Sequence, residues 1–198
     1  MSKAHPLLYY IRHGQTDWNR DRRIQGQTDI PLNETGHEQA RAIAARITQI
    51  VTDPAGFEFI VSPLSRARQT MAHVLESYGL DEDTARVEPR LREVSFGEFD
   101  GKTWPELNEY GIDPLADPGK YYKWRPTGGE SYADTAKRVS SWLADQQTPA
   151  IVVAHGGISR ILRGLVLGQT GAEFVGLPVP QNRFFKLENG EIEWIRAG

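Results

Sequence analysis

Apolar positions along the chain form two patterns, short unbroken runs and stripes at helical spacing, and the two alternate from one end to the other. Residues 7–11, 57–61 and 150–154 are runs rich in β-branched, aromatic and small apolar side chains, the composition of strands buried on both faces. Four stripes separate and follow them: Ala40, Ile43, Ala44, Ile47 and Val51; Ala67, Met71, Val74 and Tyr78; Tyr132, Ala136, Val139 and Leu143; Ile158, Ile161, Leu162 and Leu165. Each falls on one face of a helix, so each predicts a helix laid against a sheet. Asn33 or Thr35 suits the cap of the first helix, and Ser131 that of the third. Residues 86–91 predict a further short strand. Residues 184–187 and 191–195, joined by Asn189-Gly190, predict a closing hairpin at the sheet edge. Alternating strand and helix imply an α/β fold, a three-layer α/β/α sandwich around a mostly parallel sheet of about six strands.

Residues 102–130 break the pattern. They carry Pro105, Pro114, Pro118 and Pro126 together with Trp104, Tyr110, Tyr121, Tyr122 and Trp124. That composition fits an irregular, substrate-shaping insertion, or a loop with its aromatics packed beneath it. No repeat or low-complexity linker marks a boundary, so residues 1–198 are expected to form one domain. No apolar segment is long enough to span a bilayer, and residues 1–6 lack the apolar centre of a signal peptide, which leads to the expectation of a cytoplasmic protein. The chain has no cysteine, which excludes disulfides, thiolate catalysis and cysteine-bound zinc. A formal charge of -3 gives no global attraction to nucleic acid or membrane, so affinity for an anion must come from a local basic cluster.

Such a cluster is visible at the strand ends. Two apolar runs end in histidine and glycine, Arg12-His13-Gly14 and His155-Gly156-Gly157, and a third ends at Ser62 just before Arg66. Ligands of open α/β sheets bind beyond the carboxyl ends of the strands. Arg66 lies off the apolar stripe of its helix, near an N-terminus whose N–H groups favour anions. Alone, Arg12-His13-Gly14 reads as a strand-end turn with a solvated arginine. If the strand ends gather, Arg12, His13, Arg66 and His155 make a phosphate-sized anion site. Arg20, Arg22 and Arg23 are either a solvated run or its rim. Glu93, Glu98 and Asp100 share one loop, and His5, His37 and His73 read as surface or packing residues.

Arg12-His13-Gly14-Gln15-Thr16 with Asn19, Ser62-Pro63-Leu64 with Arg66-Ala67 and Gln69-Thr70, Leu91-Arg92-Glu93 with Gly97 and Gly101, and Ala154-His155-Gly156 occur in that order. Together they resemble the four motifs of the histidine phosphatase (phosphoglycerate mutase-like) superfamily. The resemblance implies that His13 attacks phosphorus and becomes a phosphohistidine, which water then hydrolyses. It implies that Arg12, Arg66 and His155 hold phosphoryl oxygens, with Asn19 as a neutral donor, and that Glu93 is the proton donor and later the base. It gives Gln25, Gly26 and Gly156 to substrate binding, and calls for no cofactor and no metal. His13 must be neutral to attack, so its other ring nitrogen should donate to a carbonyl or a similar acceptor.

Mutase relatives carry an adjacent arginine pair where this chain has Lys120, Lys123 and a single Arg125, and an asparagine where it has Gly157. The expectation is therefore a phosphomonoester hydrolase of the histidine acid phosphatase type acting on a small phosphorylated metabolite. A cofactor-dependent phosphoglycerate mutase is the alternative. A non-catalytic phospholigand-binding protein is the second, against which retention of His13, Arg66, Glu93 and His155 counts. Trp18, Ile24, Tyr121, Tyr122 and Trp124 are the expected apolar contacts at the entrance. Expected partners are the phosphorylated substrate alone, with a homodimer left open.

Overall fold

Strands whose side chains are apolar on both sides need a helical layer on each face, and the chain supplies both. The computed structural model describes residues 5–198; residues 1–4, part of the segment read for a leader, lie outside the described residues. β1 (Leu8–Arg12), β2 (Glu58–Val61), β3 (Arg86–Val87), β4 (Ala150–Ala154), β5 (Arg183–Glu188) and β6 (Glu191–Arg196) form one six-stranded sheet in the order β3-β2-β4-β1-β5-β6. β3, β2, β4 and β1 run parallel, and β5 is antiparallel to both of its neighbours. The sheet is mixed and mostly parallel, and the hairpin expected at its edge is β5-β6.

The helices are α1 (Asp17–Arg20), α2 (Glu34–Ile50), α3 (Ser65–Tyr78), α4 (Trp104–Asn108), α5 (Pro118–Lys123), α6 (Tyr132–Asp145), α7 (Gly156–Val166) and α8 (Gly171–Phe174). Successive strand residues serve opposite layers. Tyr9, Ile11, Phe59, Val61, Ile151 and Val153 pack with Ile43 and Ile47 of α2 and Met71 and Val74 of α3. Leu8, Tyr10, Ile60, Val152 and Ala154 pack with Val139 and Leu143 of α6 and Ile158, Ile161 and Leu162 of α7. Asn33 caps α2 by accepting from the Gly36 N–H at 2.9 Å, and Ser131 caps α6 by accepting from that of Asp134 at 3.1 Å.

Three local readings change. The strand expected over 86–91 stops at Val87, because Pro89 has no N–H for a ladder and starts the short turn Pro89–Leu91. The polar segment 19–31 begins inside α1, which Thr16 and Asn19 close with a capping box. The insertion is not featureless, since α4 and α5 form within it. Trp142 of α6, absent from the predicted stripe, is fully buried as well.

Candidate active site

Because β2, β4 and β1 are parallel neighbours, their carboxyl ends reach one edge of the sheet together. His13 follows β1, Ser62 follows β2 and His155 follows β4, and backbone bonds tie them, with His13 N donating to Ala154 O at 3.0 Å and Ser62 N to Val153 O at 3.1 Å. The Tyr10 hydroxyl donates to His155 O at 2.7 Å and accepts from His155 N at 3.0 Å. The turn after β1 is pressed against the start of α2: a Cβ on Gly14 would lie 2.3 Å from Gly36 O, and one on Gly36 2.0 Å from Gln15 O. Only two facing glycines let these backbones approach so closely.

A cavity of about 370 Å³ opens at this edge. Arg12, His13, Asn19, Gln25, Gly26, Arg66, Glu93 and Gly156 all line it. His155 is fully buried beside it, its ring centroid 5.2 Å from that of His13. His13 Nδ1 lies 2.7 Å from Gly14 O, so Nδ1 carries the hydrogen and Nε2 keeps its lone pair. Burial, then the charges of Arg66 and Arg12, hold the His13 pKa well below the ordinary histidine value, so the ring is neutral at pH 7. His155 is likewise depressed, first by burial and then by Arg66, His13 and Arg12. Its Nε2 is 2.6 Å from Ser62 Oγ, and its Nδ1 has no protein partner.

The two cations are fixed by backbone carbonyls. Arg66 has no exposed surface and donates from Nη1 to Thr28 O and from Nη2 to Gly26 O, both at 2.8 Å. Arg12 donates to Val179 O, and burial draws its pKa down to about 10, which leaves it charged. The Nε atoms of both are buried with no partner. Asn19 Oδ1 is taken by Thr16 N at 3.2 Å and Gln181 Nε2 at 3.0 Å, so its NH2 is the end available to a ligand. Glu93 accepts from Gly157 N at 3.1 Å through Oε2 and from Val94 N at 3.0 Å through Oε1. A Cβ on Gly157 would come within 2.5 Å of Glu93 Oε1, so the glycine makes room for the carboxylate.

The rival acids on that loop are placed elsewhere. Glu98 is exposed, and Asp100 binds the Thr28 hydroxyl and the Phe96 N–H away from the cavity. Of the arginine run only Arg23 reaches the rim, while Arg20 pairs with Asp17 and Asp21. Of the expected entrance residues Ile24 and Tyr121 line the cavity. Trp18 instead covers Gly101, Tyr122 packs edge-on to Phe174, and Trp124 packs against Phe99 and Tyr121. His37 and His73 meet each other between α2 and α3, Nδ1 to Nε2 at 3.0 Å.

Four residues escape a reading of the sequence. Ser62 shows in the sequence only as a strand end and a motif letter, and Gln181, which donates to His13 O at 3.2 Å, lies in a stretch without periodicity. Arg160 belongs to the polar side of an ordinary helix pattern, yet lines the cavity. Arg138 donates to the carbonyls of Arg90, Arg92 and Glu93 at 2.6, 2.8 and 3.0 Å and to Glu130 Oε2 at 2.9 Å. Only the identity of an arginine on a polar helix face could have signalled it.

A neutral histidine with a free Nε2, set beside two buried guanidinium groups and a second imidazole on a parallel-sheet edge, defines an α/β protein equipped to hold and attack a phosphoryl group. The family model of the histidine phosphatase superfamily (branch 1) matches residues 8–195. The chain belongs to that superfamily. It is 31% identical over 204 residues, 95% of this chain and 83% of the relative, to a probable phosphoglycerate mutase of Enterobacter sp. strain 638. It is 33% identical over 179 residues, 81% of this chain and 74% of the relative, to a glucosyl-3-phosphoglycerate phosphatase of Mycolicibacterium vanbaalenii. The native structure of a mycobacterial glucosyl-3-phosphoglycerate phosphatase superposes with a TM-score of 0.76 at 28% identity, covering 98% of this chain and 97% of that one.

Proposed function

We propose that the protein hydrolyses phosphomonoesters of small metabolites through a phosphohistidine on His13. The observation that carries this is the state of His13: Nδ1 is committed to Gly14 O, and Nε2 is unprotonated beside Arg12 and Arg66. In the first step Nε2 forms a bond to phosphorus as the bond to the ester oxygen breaks. Glu93 gives its proton to that oxygen, and the freed alcohol leaves. In the second step Glu93 takes a proton from water, the water oxygen bonds to phosphorus, and the N–P bond returns its electrons to the imidazole. Arg12 and Arg66 neutralise the phosphoryl oxygens, and the His155 Nδ1–H and the Asn19 NH2 group donate to them. Gln25, Gly26 and Gly156 form the adjoining wall. Positioning and charge stabilisation supply most of the rate in phosphoryl transfer, and these groups provide both.

Phosphoglycerate mutase is the second reading, favoured by the similarity to relatives of that name. It needs a basic grip on a second phosphate, and residues 120–125 do not provide one: Lys120, Lys123 and Arg125 are not among the cavity residues, and Arg125 pairs with Asp134. We take residues 1–198 as one domain with the insertion at 102–130, supported by the span of the family match and by the single sheet. Among the described residues no helix is long and apolar enough to cross a membrane. We place the protein in the cytoplasm, without nucleic-acid or membrane partners and with homodimerisation open.

The test is turnover of a phosphate-ester panel by wild type and His13→Ala, with a mutase arm primed by bisphosphoglycerate. His13→Ala is expected to lose on the order of 10^4 or more in kcat, together with acid-labile phosphate labelling. Equal turnover by the two proteins would refute the mechanism, and fast interconversion of phosphoglycerates would favour the mutase.

A further inference from the structure

The segment that joins α8 to β5 has no regular structure, yet three of its successive carbonyls each hold an arginine. Leu177 O accepts from Arg160 Nε and Pro178 O from Arg163 Nη2, both at 2.7 Å, and Val179 O accepts from Arg12. Pro178 and Pro180 fix their own φ angles and keep the residue before each extended, so the segment is stiff. It delivers Gln181 to the edge of the cavity. Gln181 Nε2 has two hydrogens and meets two acceptors, His13 O at 3.2 Å and Asn19 Oδ1 at 3.0 Å, in residues 168 and 162 positions away.

The direction of each amide follows from its neighbours. Thr16 N–H can only donate, so the Asn19 atom facing it at 3.2 Å is the oxygen. That oxygen and the His13 carbonyl can only accept, so Gln181 must turn its NH2 group toward both. Two donors thus converge on Asn19 Oδ1 from different parts of the chain, one from the cap of α1 and one from the stiff segment before β5. The Asn19 NH2 group is left for the cavity, which Asn19 lines and Gln181 does not. With the Thr16 bond alone, the amide would be held at one point and could swing about it.

We infer that Gln181 is a positioning residue: it clamps the Asn19 amide so that its NH2 group faces the phosphoryl oxygens. The phosphoryl group is common to both chemical steps and to every ester, so the clamp serves all substrates alike. The inference rests on the phosphatase reading for the reaction it assists, but not for the binding of a phosphoryl-like oxyanion.

Two near-isosteric variants and one double-mutant cycle test it. Gln181→Met removes the donor and should lower kcat/KM by about 10-fold, equally for alkyl and aryl phosphates. Gln181→Glu should lose more than Gln181→Met, because its carboxylate would face two acceptor oxygens unless the Asn19 amide flips and turns its own oxygen to the phosphoryl group. In an Asn19→Ala background either change should cost less than about 3-fold, since no amide remains to be oriented. Binding of orthovanadate, which adopts the five-coordinate geometry of phosphoryl transfer, should weaken in the same pattern and needs no turnover. Losses that multiply with that of Asn19→Ala, or a Gln181→Glu protein that matches wild type, would overturn the inference. If Gln181→Met fails to fold, Gln181→Glu decides the question by itself. Hydrolysis of p-nitrophenyl phosphate by wild type, measured separately, reports on the phosphatase reading: a protein that binds vanadate and hydrolyses no ester would refute that reading and leave the Gln181 pattern to be judged by binding.

Discussion

The chemistry of the site is decided by which nitrogen of each histidine is occupied. Gly14 O takes the Nδ1 hydrogen of His13 and so presents Nε2 to phosphorus. The Ser62 hydroxyl performs the opposite service for His155. If it donates to Nε2, Nδ1 carries the hydrogen and can bind a phosphoryl oxygen. Ser62 has no exposed surface and does not line the cavity; besides His155 its hydroxyl meets only the Leu64 N–H, at a long 3.5 Å, so its loss should act on the chemistry through His155. Ser62→Ala is expected to lower kcat by about 10- to 100-fold, the worth of one buried hydrogen bond between polar groups in the site. His155→Ala should then mask the Ser62→Ala effect in a double-mutant cycle; additive losses would assign Ser62 to packing. Glu93 shows what a motif leaves open: its letter is legible, but only its contacts with Gly157 N and Val94 N, and the removal of Glu98 and Asp100 to other places, single it out.

At the level of elements, the loop bearing Glu93 has little regular structure and is held from behind by α6. Arg138 reaches from that helix to the carbonyls of Arg90, Arg92 and Glu93 itself, while Glu130 accepts from Arg138, from Ser95 N at 3.3 Å and from Gln27 Nε2 at 3.3 Å. This one ion pair joins the acid loop to the loop that carries Gln25 and Gly26. Arg138→Met removes the cation that faces Glu130 and the side-chain donor to the Arg90 and Arg92 carbonyls, and should cost about 1–3 kcal/mol in urea unfolding. It should also slow alkyl phosphates, whose leaving oxygen needs a proton, more than p-nitrophenyl phosphate, whose leaving group does not. A uniform loss across leaving groups would make Arg138 a stability residue only. The helix faces that pack on the sheet were legible because apolar spacing records them. The contacts of Arg138 were not, because a polar residue on a helix looks the same whether it meets water or a loop distant in sequence.

For the molecule as a whole, burial of two neutral histidines beside arginines has a consequence for stability. Both rings titrate well below 6.5 when folded and near 6.5 when unfolded, so below that pH the unfolded chain binds more protons than the native one. Their contribution is fully present above about pH 6.5 and is lost as the pH falls from there toward the folded values. Each can take away up to about 1.4 kcal/mol per pH unit in that window. Thermal melts between pH 7.5 and 5 should therefore fall more steeply for wild type than for His155→Asn; parallel curves would show that other groups govern acid sensitivity. The same burial depends on topology. Apolar runs, caps and the Asn189-Gly190 turn are short-range facts, and with the motif spacings they determined the α/β class, the order of elements and the identities of His13, Arg12, Arg66, Glu93 and His155 as candidates. Whether those residues meet is a long-range fact. It was decided when β4 inserted between β2 and β1 in parallel and brought three strand ends to one edge, when facing glycines let the His13 turn dock on α2, and when folding carried Arg138 and Arg160 from unremarkable helix positions to the site. A sequence displays residue type and spacing, which fix local conformation; contacts between residues over a hundred positions apart, such as Tyr10 with His155, exist only once the sheet has formed.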